Sequence, residues 1–574
     1  MRGERDELDL EGFLLKGPLR DRLVASVVTI TVLTPFVAKP FHIDDPLFLW
    51  TARRIHEAPL DFYGFLVNWY DTAQPMSEVM KNPPLVAYWY AGIAMITGFG
   101  EIALHLGALP FSVAAVLGTH ELARRLCARP LLATLVFAST PTFLVSATSL
   151  GADVPMLAAW VWAVVLWVRG LDEGRASWLA AAAVLCALAA LAKYFGASLL
   201  PLLLVYTLVR ERRISRHLAW LVVPALALAL YEAATAAAYG QGLLESAVGY
   251  ARQTSASAIT SPGPVWQRAL VALLFTGGAV VTPGLLAALS GSRSSLALLV
   301  FAAAACALLA VTHGSLGSLP LVDAGHVRWR AALHVACFAL LGLELLALGT
   351  KDLFSRRDAD ALLLALALAG TLAFGAFFNW TVNARSLIVA APVAAILAVR
   401  ALGTSAADSL PRRAIPGIAL ALGWCLGLAV TWSDARLAAT FRRATTELLP
   451  SGCATSDRCW FLGHWGLQYY ARERGAWPVD LQTGSLAVGD LLLVPENSAG
   501  SNEVPWGAAT LVRSYDEVPL EGISVQSIAT RAAFHAAVRG PLPFVLGEAA
   551  PERFVLVRID RPLEAAAGEL RPVP

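Results

Sequence analysis

LVASVVTITVLTPFVAKPFHIDDP, residues 23–46, is the stretch on which the reading of this chain turns. Its first 16 residues carry no charge, and they are followed at once by Lys39-Pro40, His42 and the acidic pair Asp44-Asp45. A bilayer-spanning helix needs about 20 mostly apolar residues. No small-residue cleavage site follows the run, so it reads as an uncleaved first span. Ionisable groups therefore stand where a membrane helix would reach water.

The rest of the chain repeats the pattern. Of 574 residues, 57% are hydrophobic and 15% charged, and the mean hydropathy is +0.61. Soluble domains are about 45–50% apolar and about 25% charged, so a soluble enzyme is excluded. A formal charge of +2 gives no field that would argue for nucleic acid as a partner. Apolar segments at 23–39, 103–123, 131–149, 154–169, 178–192, 195–209, 218–239, 269–290, 295–312, 331–349, 360–378, 386–402 and 414–431 predict thirteen spans.

Basic residues orient them, because loops rich in Lys and Arg stay cytoplasmic. One set of loops, including Arg124, Arg125, Arg210, Arg212 and Arg213, holds sixteen Lys and Arg; the opposite set, beyond the first long loop, holds six. The N-terminus, with Arg2, Arg5 and Lys16, belongs to the basic side. Residues 1–22 are thus expected in the cytoplasm, 23–435 in the membrane domain, and 436–574 outside. Residues 84–98 are apolar but short and rich in Tyr and Trp; counting them as a span would invert every later loop, so an interfacial or re-entrant helix is expected.

Residues 40–102 then form one long external loop, with Phe48, Ala52 and Ile55 on a shared helical face. It is expected to lie on the membrane surface as short amphipathic helices. After 436 the composition turns soluble. Short β-like runs (Leu491 to Val494, Ala509 to Val512, Phe554 to Ile559) alternate with helical stretches such as Gly466 to Arg474, which predicts a small α/β domain. Cys453 and Cys459 lie close together in polar sequence and would pair if that region is oxidising.

Ionisable side chains at membrane depth cost about 2.5–3.5 kcal/mol each, so those that persist are candidates for function. Asp45 before Pro46 makes a good helix start, which Asp44 does not need to be. Lys81-Asn82-Pro83-Pro84-Leu85 reads as a rigid loop entry or as a ligand contact. Asp153 caps the next helix or faces the site. Lys193, followed by Tyr194, is one of only five lysines and sits between two apolar runs, where snorkelling is the plain alternative. The stretch from Phe378 to Ser386 sets Asn379, Asn383 and Arg385 at another membrane edge, as an anchor or as a site. The topology brings Asp44, Asp45, Lys81, Asp153, Lys193 and Arg385 to the external ends of spans. Carboxylates suited to proton abstraction would then share one face with cations suited to phosphate.

On these residues the sequence resembles the GT-C membrane glycosyltransferases, specifically the protein-mannosyltransferase and aminoarabinose-transferase-like group of glycosyltransferase family 39. The elements are Asp44-Asp45 after the first span, Lys81-Asn82-Pro83-Pro84-Leu85 before an aromatic helix, Asp153, Lys193-Tyr194 and the late Arg385. The resemblance covers about residues 20–400 and implies an all-α polytopic membrane protein, GT-C-like, with a small external α/β domain. It implies transfer of one sugar from a polyprenyl-phosphate carrier to an acceptor outside the cytoplasm, with inversion.

Carried over, Asp44 would be the general base, assisted by Asp45 and Asp153. Lys193, Arg385 and Lys81 would bind the donor phosphate, and His42, Asn82, Tyr194, Asn379 and Asn383 the substrate. The sequence departs from the group in having Asp45 where Glu is frequent and Ser386 where an aromatic is common. No cofactor is expected, although Asp44 and Asp45 could hold a divalent ion against the phosphate. The lipid bilayer is an expected partner; sugar and acceptor stay open. The Lys-poor, Arg-rich composition points to a bacterial inner membrane. The alternatives are a secondary transporter of lipid-linked or small solutes, for which internal repeats and midplane charges would be expected, and an assembly protein acting through its external domain.

Overall fold

The computed structural model describes residues 17–256, 264–290, 293–402, 410–455, 458–500, 504–566 and 568–572. Residues 1–16, with Arg2, Arg5 and Lys16, lie outside these. All thirteen expected segments fall on helices or helix pairs. Eight helices among the described residues are long and apolar enough to cross a membrane: Glu101–Leu126, Asp153–Glu173, Tyr194–Glu211, Arg216–Tyr239, Ser295–His313, Trp329–Arg356, Ala359–Phe378 and Ala414–Leu448. Two further segments qualify as bent pairs, Pro130–Ala138 with Pro141–Ala147 at 64° and Val265–Ala279 with Val281–Leu289 at 82°. Proline explains the first break, because Pro141 removes a backbone donor and clashes with the preceding turn. The helices Pro18–Leu33, Ala176–Ala192 and Ala390–Ala401 are shorter.

The first helix stops where Thr34–Phe36 tightens into a 3-10 turn around Pro35. The chain then enters the long loop after the first span, which holds the helices Asp45–Glu57 and Leu85–Thr97 and a two-stranded ribbon, Leu66–Asn68 paired with Ala73–Pro75. Leu85–Thr97 has 13 residues, a length of about 20 Å against a hydrocarbon core of about 30 Å. Its tip leaves Met95 and Ile96 exposed.

Phe48, Ala52 and Ile55 are buried as the amphipathic pattern predicts. Yet Asp45 to Ala52 are buried without a break, which corrects the expectation of a helix lying on a surface. The C-terminal region covers it: Arg53 donates to Glu473 Oε1 at 2.8 Å and to the Tyr469 hydroxyl at 3.0 Å. Phe41 N donates to the Tyr470 hydroxyl at 2.8 Å, and Tyr469 packs against Phe41 and Trp50. The aromatic run 468–470 is thus a packed junction between loop and C-terminal domain.

The last membrane helix runs from Leu410 to Leu448, well past its apolar part. Beyond it lies a five-stranded sheet in the spatial order Ala509–Glu517, Glu552–Ile559, Leu491–Pro495, Cys459–Phe461, Trp477–Pro478. Each predicted strand is present. Leu491–Pro495 pairs antiparallel with Glu552–Ile559 (Leu493 opposite Leu556) and parallel with Cys459–Phe461. The parallel pair Cys459–Phe461 and Trp477–Pro478 is joined through the helix Trp465–Glu473, since parallel neighbours need a crossover. A disulfide links Cys453 and Cys459.

Candidate active site

A cavity of about 450 Å³ opens among span ends and the loop that follows the first helix. Its charged lining is Asp44, Lys81, Lys193, Arg252 and Arg385, four cations against one carboxylate. Asn82, Tyr194, Asn379 and Asn383 line it as well. Eight of the eleven residues picked out from sequence therefore meet around one space; His42, Asp45 and Asp153 are not in its lining.

Asp44 sits just before the helix Asp45–Glu57 and follows Ile43, whose φ of 48° is in the left-handed region. A β-branched residue rarely adopts that conformation, and such strain collects at functional sites. Arg385 Nη2 donates to Asp44 Oδ2 at 2.7 Å. Its Nη1 lies 4.0 Å from Asp153 Oδ2, and its buried Nε has no hydrogen-bond partner. Lys193 Nζ is 2.5 Å from Asp153 Oδ1. The Asp153 side chain is 6% exposed and that of Asp44 34%. Asp153 thus holds the two cations from behind, while Asp44 faces the cavity.

Lys81 donates to Ser246 Oγ at 3.1 Å and lies over the Tyr250 ring. Burial lowers its pKa from the usual lysine range. Lys81 has no carboxylate within ion-pair distance among the described residues, so its charge is available to an anion. Asn379 and Asn383 shape the turn that carries Arg385: Asn379 Nδ2 donates to Thr381 O and Ser386 Oγ at 2.8 and 2.9 Å. Ser386 N donates to Asn383 Oδ1 at 2.8 Å. Tyr194 donates to the Tyr231 hydroxyl at 3.4 Å, and Asn82 O accepts from the Tyr63 hydroxyl at 2.7 Å.

Asp45 and His42 stand apart from the cavity lining. Asp45, 1% exposed, accepts from His42 N at 2.9 Å with one oxygen and from Leu150 N at 2.8 Å with the other. It fastens the loop to the junction at Leu150, and burial raises its pKa to about 6. Because its oxygens point to backbone and those of Asp44 to Arg385, the two carboxylates do not form a joint chelate for a divalent ion. His42 is fully buried and faces Asp434.

Sequence reasoning missed one wall. Leu244, Ala247, Val248 and Ala251 line the cavity from the helix Leu243–Ala256, together with Tyr250 and Arg252. Their spacing of i, i+3, i+4 and i+7 is an amphipathic signal that was readable. Opposite, a π-helical turn at Phe374–Phe378 presents Phe374, Phe377 and Phe378 to the cavity; such turns gather at functional sites. The site is a cationic pocket with one open carboxylate and an aromatic flank.

Residues 81–234 match the model of the family described as dolichyl-phosphate-mannose-protein mannosyltransferase, the group the motifs resemble. The match begins at Lys81 and includes Asp153 and Lys193. No curated protein matches the chain. Among solved structures, the Archaeoglobus fulgidus oligosaccharyltransferase in its apo form is 15% identical, covering 80% of this chain and 64% of its own, with a TM-score of 0.48. This chain therefore spans less than two thirds of that enzyme's length. ArnT from Cupriavidus metallidurans bound to undecaprenyl phosphate is 17% identical, with coverage of 82% and 92% and a TM-score of 0.42. Arabinofuranosyltransferase AftD from Mycobacteria is 14% identical, with coverage of 93% and 41% and a TM-score of 0.39.

Proposed function

We propose that the chain is an integral membrane glycosyltransferase of the GT-C type, which moves one sugar from a polyprenyl-phosphate carrier to an acceptor outside the cytoplasm with inversion. The observation that carries this reading is Asp44, open to a cavity that also gathers Lys81, Lys193 and Arg385. Breaking the sugar–phosphate bond leaves a more negative phosphate. Cations fixed in place stabilise charge that grows in the transition state, which lowers the barrier. Lys193, Arg385 and Lys81 hold that phosphate; the unpartnered Nε of Arg385 is a donor in reserve. Asp44 removes the proton of the attacking hydroxyl or amine. Asp153 positions Lys193 and Arg385, Asp45 positions the loop, and the aromatic flank takes the first prenyl units.

Residues 23–435 form the catalytic membrane domain and 436–574 the external domain, in the inner membrane of a bacterium with the N-terminus inside. The excess of Arg in one set of loops supports that orientation, and so does the Cys453–Cys459 disulfide, which fits an oxidising compartment. The transporter alternative is not supported, because the charges converge on one cavity at span ends. Purified protein given radiolabelled polyprenyl-phosphate sugars and candidate protein, lipid and glycan acceptors should transfer label. Uptake of solute by proteoliposomes without any label transfer would overturn the reading.

A further inference from the structure

A second polar cluster joins four parts of the chain. Lys39, at the end of the first span, places Nζ 2.5 Å from Asp434 Oδ2 and within 3.4 and 3.3 Å of Thr148 Oγ1 and Ser149 Oγ. Asp434 belongs to the last membrane helix. Its Oδ1 accepts from His535 Nε2, in the C-terminal domain, at 2.7 Å and lies 3.7 Å from His42 Nε2. The side chains of Lys39, His42 and Asp434 are wholly buried and that of His535 is 2% exposed.

Hydrogen bonding leaves this cluster incomplete. Neither ring nitrogen of His42 has a partner, nor does His535 Nδ1. A buried polar group left unpaired costs about 1–3 kcal/mol, so these nitrogens call for a partner, an ion or a water. One ligand atom each from His42, Asp434 and His535 lies within 4.8 Å of the others. We infer that His42, Asp434 and His535 bind one divalent ion of the zinc class, tying the loop that carries Asp44 to the last membrane helix and to the C-terminal domain.

Two imidazoles and a carboxylate are a donor set that zinc accepts, at about 2.0–2.2 Å from each, with a fourth position left for water. Burial lowers the pKa of both histidines, which keeps them in the neutral form that ligates. To ligate through Nε2, His535 carries its proton on the unpartnered Nδ1 instead. Lys39 occupies Oδ2 and leaves Oδ1 to the metal, but its ammonium repels a second cation. That repulsion weakens any divalent ion alike; the two imidazoles make the selection, since magnesium and calcium want oxygen ligands and zinc takes imidazole nitrogen strongly.

The full chain in detergent, stripped with a chelator and dialysed against micromolar zinc, should hold about one zinc per chain by elemental mass spectrometry. Asp434→Asn and His535→Ala should fall to background. Cobalt in place of zinc should give the visible absorption of a four-coordinate ion in the wild type and in neither of these two variants. Lys39→Met removes the competing ammonium and should bind zinc about tenfold tighter, with a zinc-dependent rise in melting temperature, so this arm decides should the other variants not fold. Stripped wild type that takes up no zinc, or uptake that all variants retain, would overturn the site; water at the imidazoles would then be the reading.

Discussion

Asp44 and His42 are two residues apart, yet the groups around them differ in kind. Around Asp44, cations outnumber carboxylates in the cavity wall, Lys81 lies beyond reach of any described carboxylate, and Arg385 keeps a spare donor. Around His42, a carboxylate and an ammonium are matched at 2.5 Å with no solvent contact. The first cluster has charge left over for something that arrives; the second has its charges paired inside the protein. Surplus charge that is open to solvent marks a site for a ligand that comes and goes, whereas a sealed cluster, with or without a structural ion, holds parts together and punishes their separation.

Changing one member of each cluster should therefore give opposite phenotypes. Asp44→Asn should lower turnover by about 10²–10⁴-fold while leaving the melting temperature unchanged, as measured by label transfer and thermal unfolding on the same preparation. A loss of stability of similar size would merge the two regions into one structural network. Asp434→Asn should do the reverse: it strands the Lys39 ammonium in the interior and should cost about 3–5 kcal/mol of stability, while the folded fraction keeps its KM for donor.

Asp45 sharpens the contrast through pH. Its pKa is raised from 3.8 to about 6, so between those values the folded state holds a proton that the unfolded state has lost. Stability should fall as pH rises across that window, on the order of 3 kcal/mol in all, and level off above it. Asp45→Asn should flatten this part of the stability curve; an unchanged slope would show that another group carries it. The smallest effect is expected at Lys81. Lys81→Gln should raise the KM for donor about tenfold, equivalent to about 1.4 kcal/mol, with little change in kcat.

Much of this was legible before any coordinates. Long apolar runs predict helices, because a membrane leaves backbone groups no other partner, and the short β-like runs at 491–494, 509–512 and 554–559 each lie in strands. Asp44, Lys81, Lys193 and Arg385 were found because charges beside apolar segments are rare enough to count. His42 and Asp45 stand apart from Asp44 for a local reason: Ile43 takes a left-handed conformation, so residues adjacent in sequence point to different neighbours. Asp434 and His535 give no signal, since no spacing motif joins them and they lie 101 positions apart. The helix Leu243–Ala256 did give one, in its apolar stripe, but sits in a stretch read as a connection between spans.

The proposed division of labour is that the Asp44 carboxylate does chemistry while Arg385 holds the phosphate. It is tested most directly by measuring donor affinity and single-turnover transfer together for Asp44→Asn and Arg385→Gln, with a radiolabelled polyprenyl-phosphate sugar. Asp44→Asn should bind donor as the wild type does and fail to turn it over, whereas Arg385→Gln should lose affinity and transfer alike. Wild-type transfer by Asp44→Asn would contradict it.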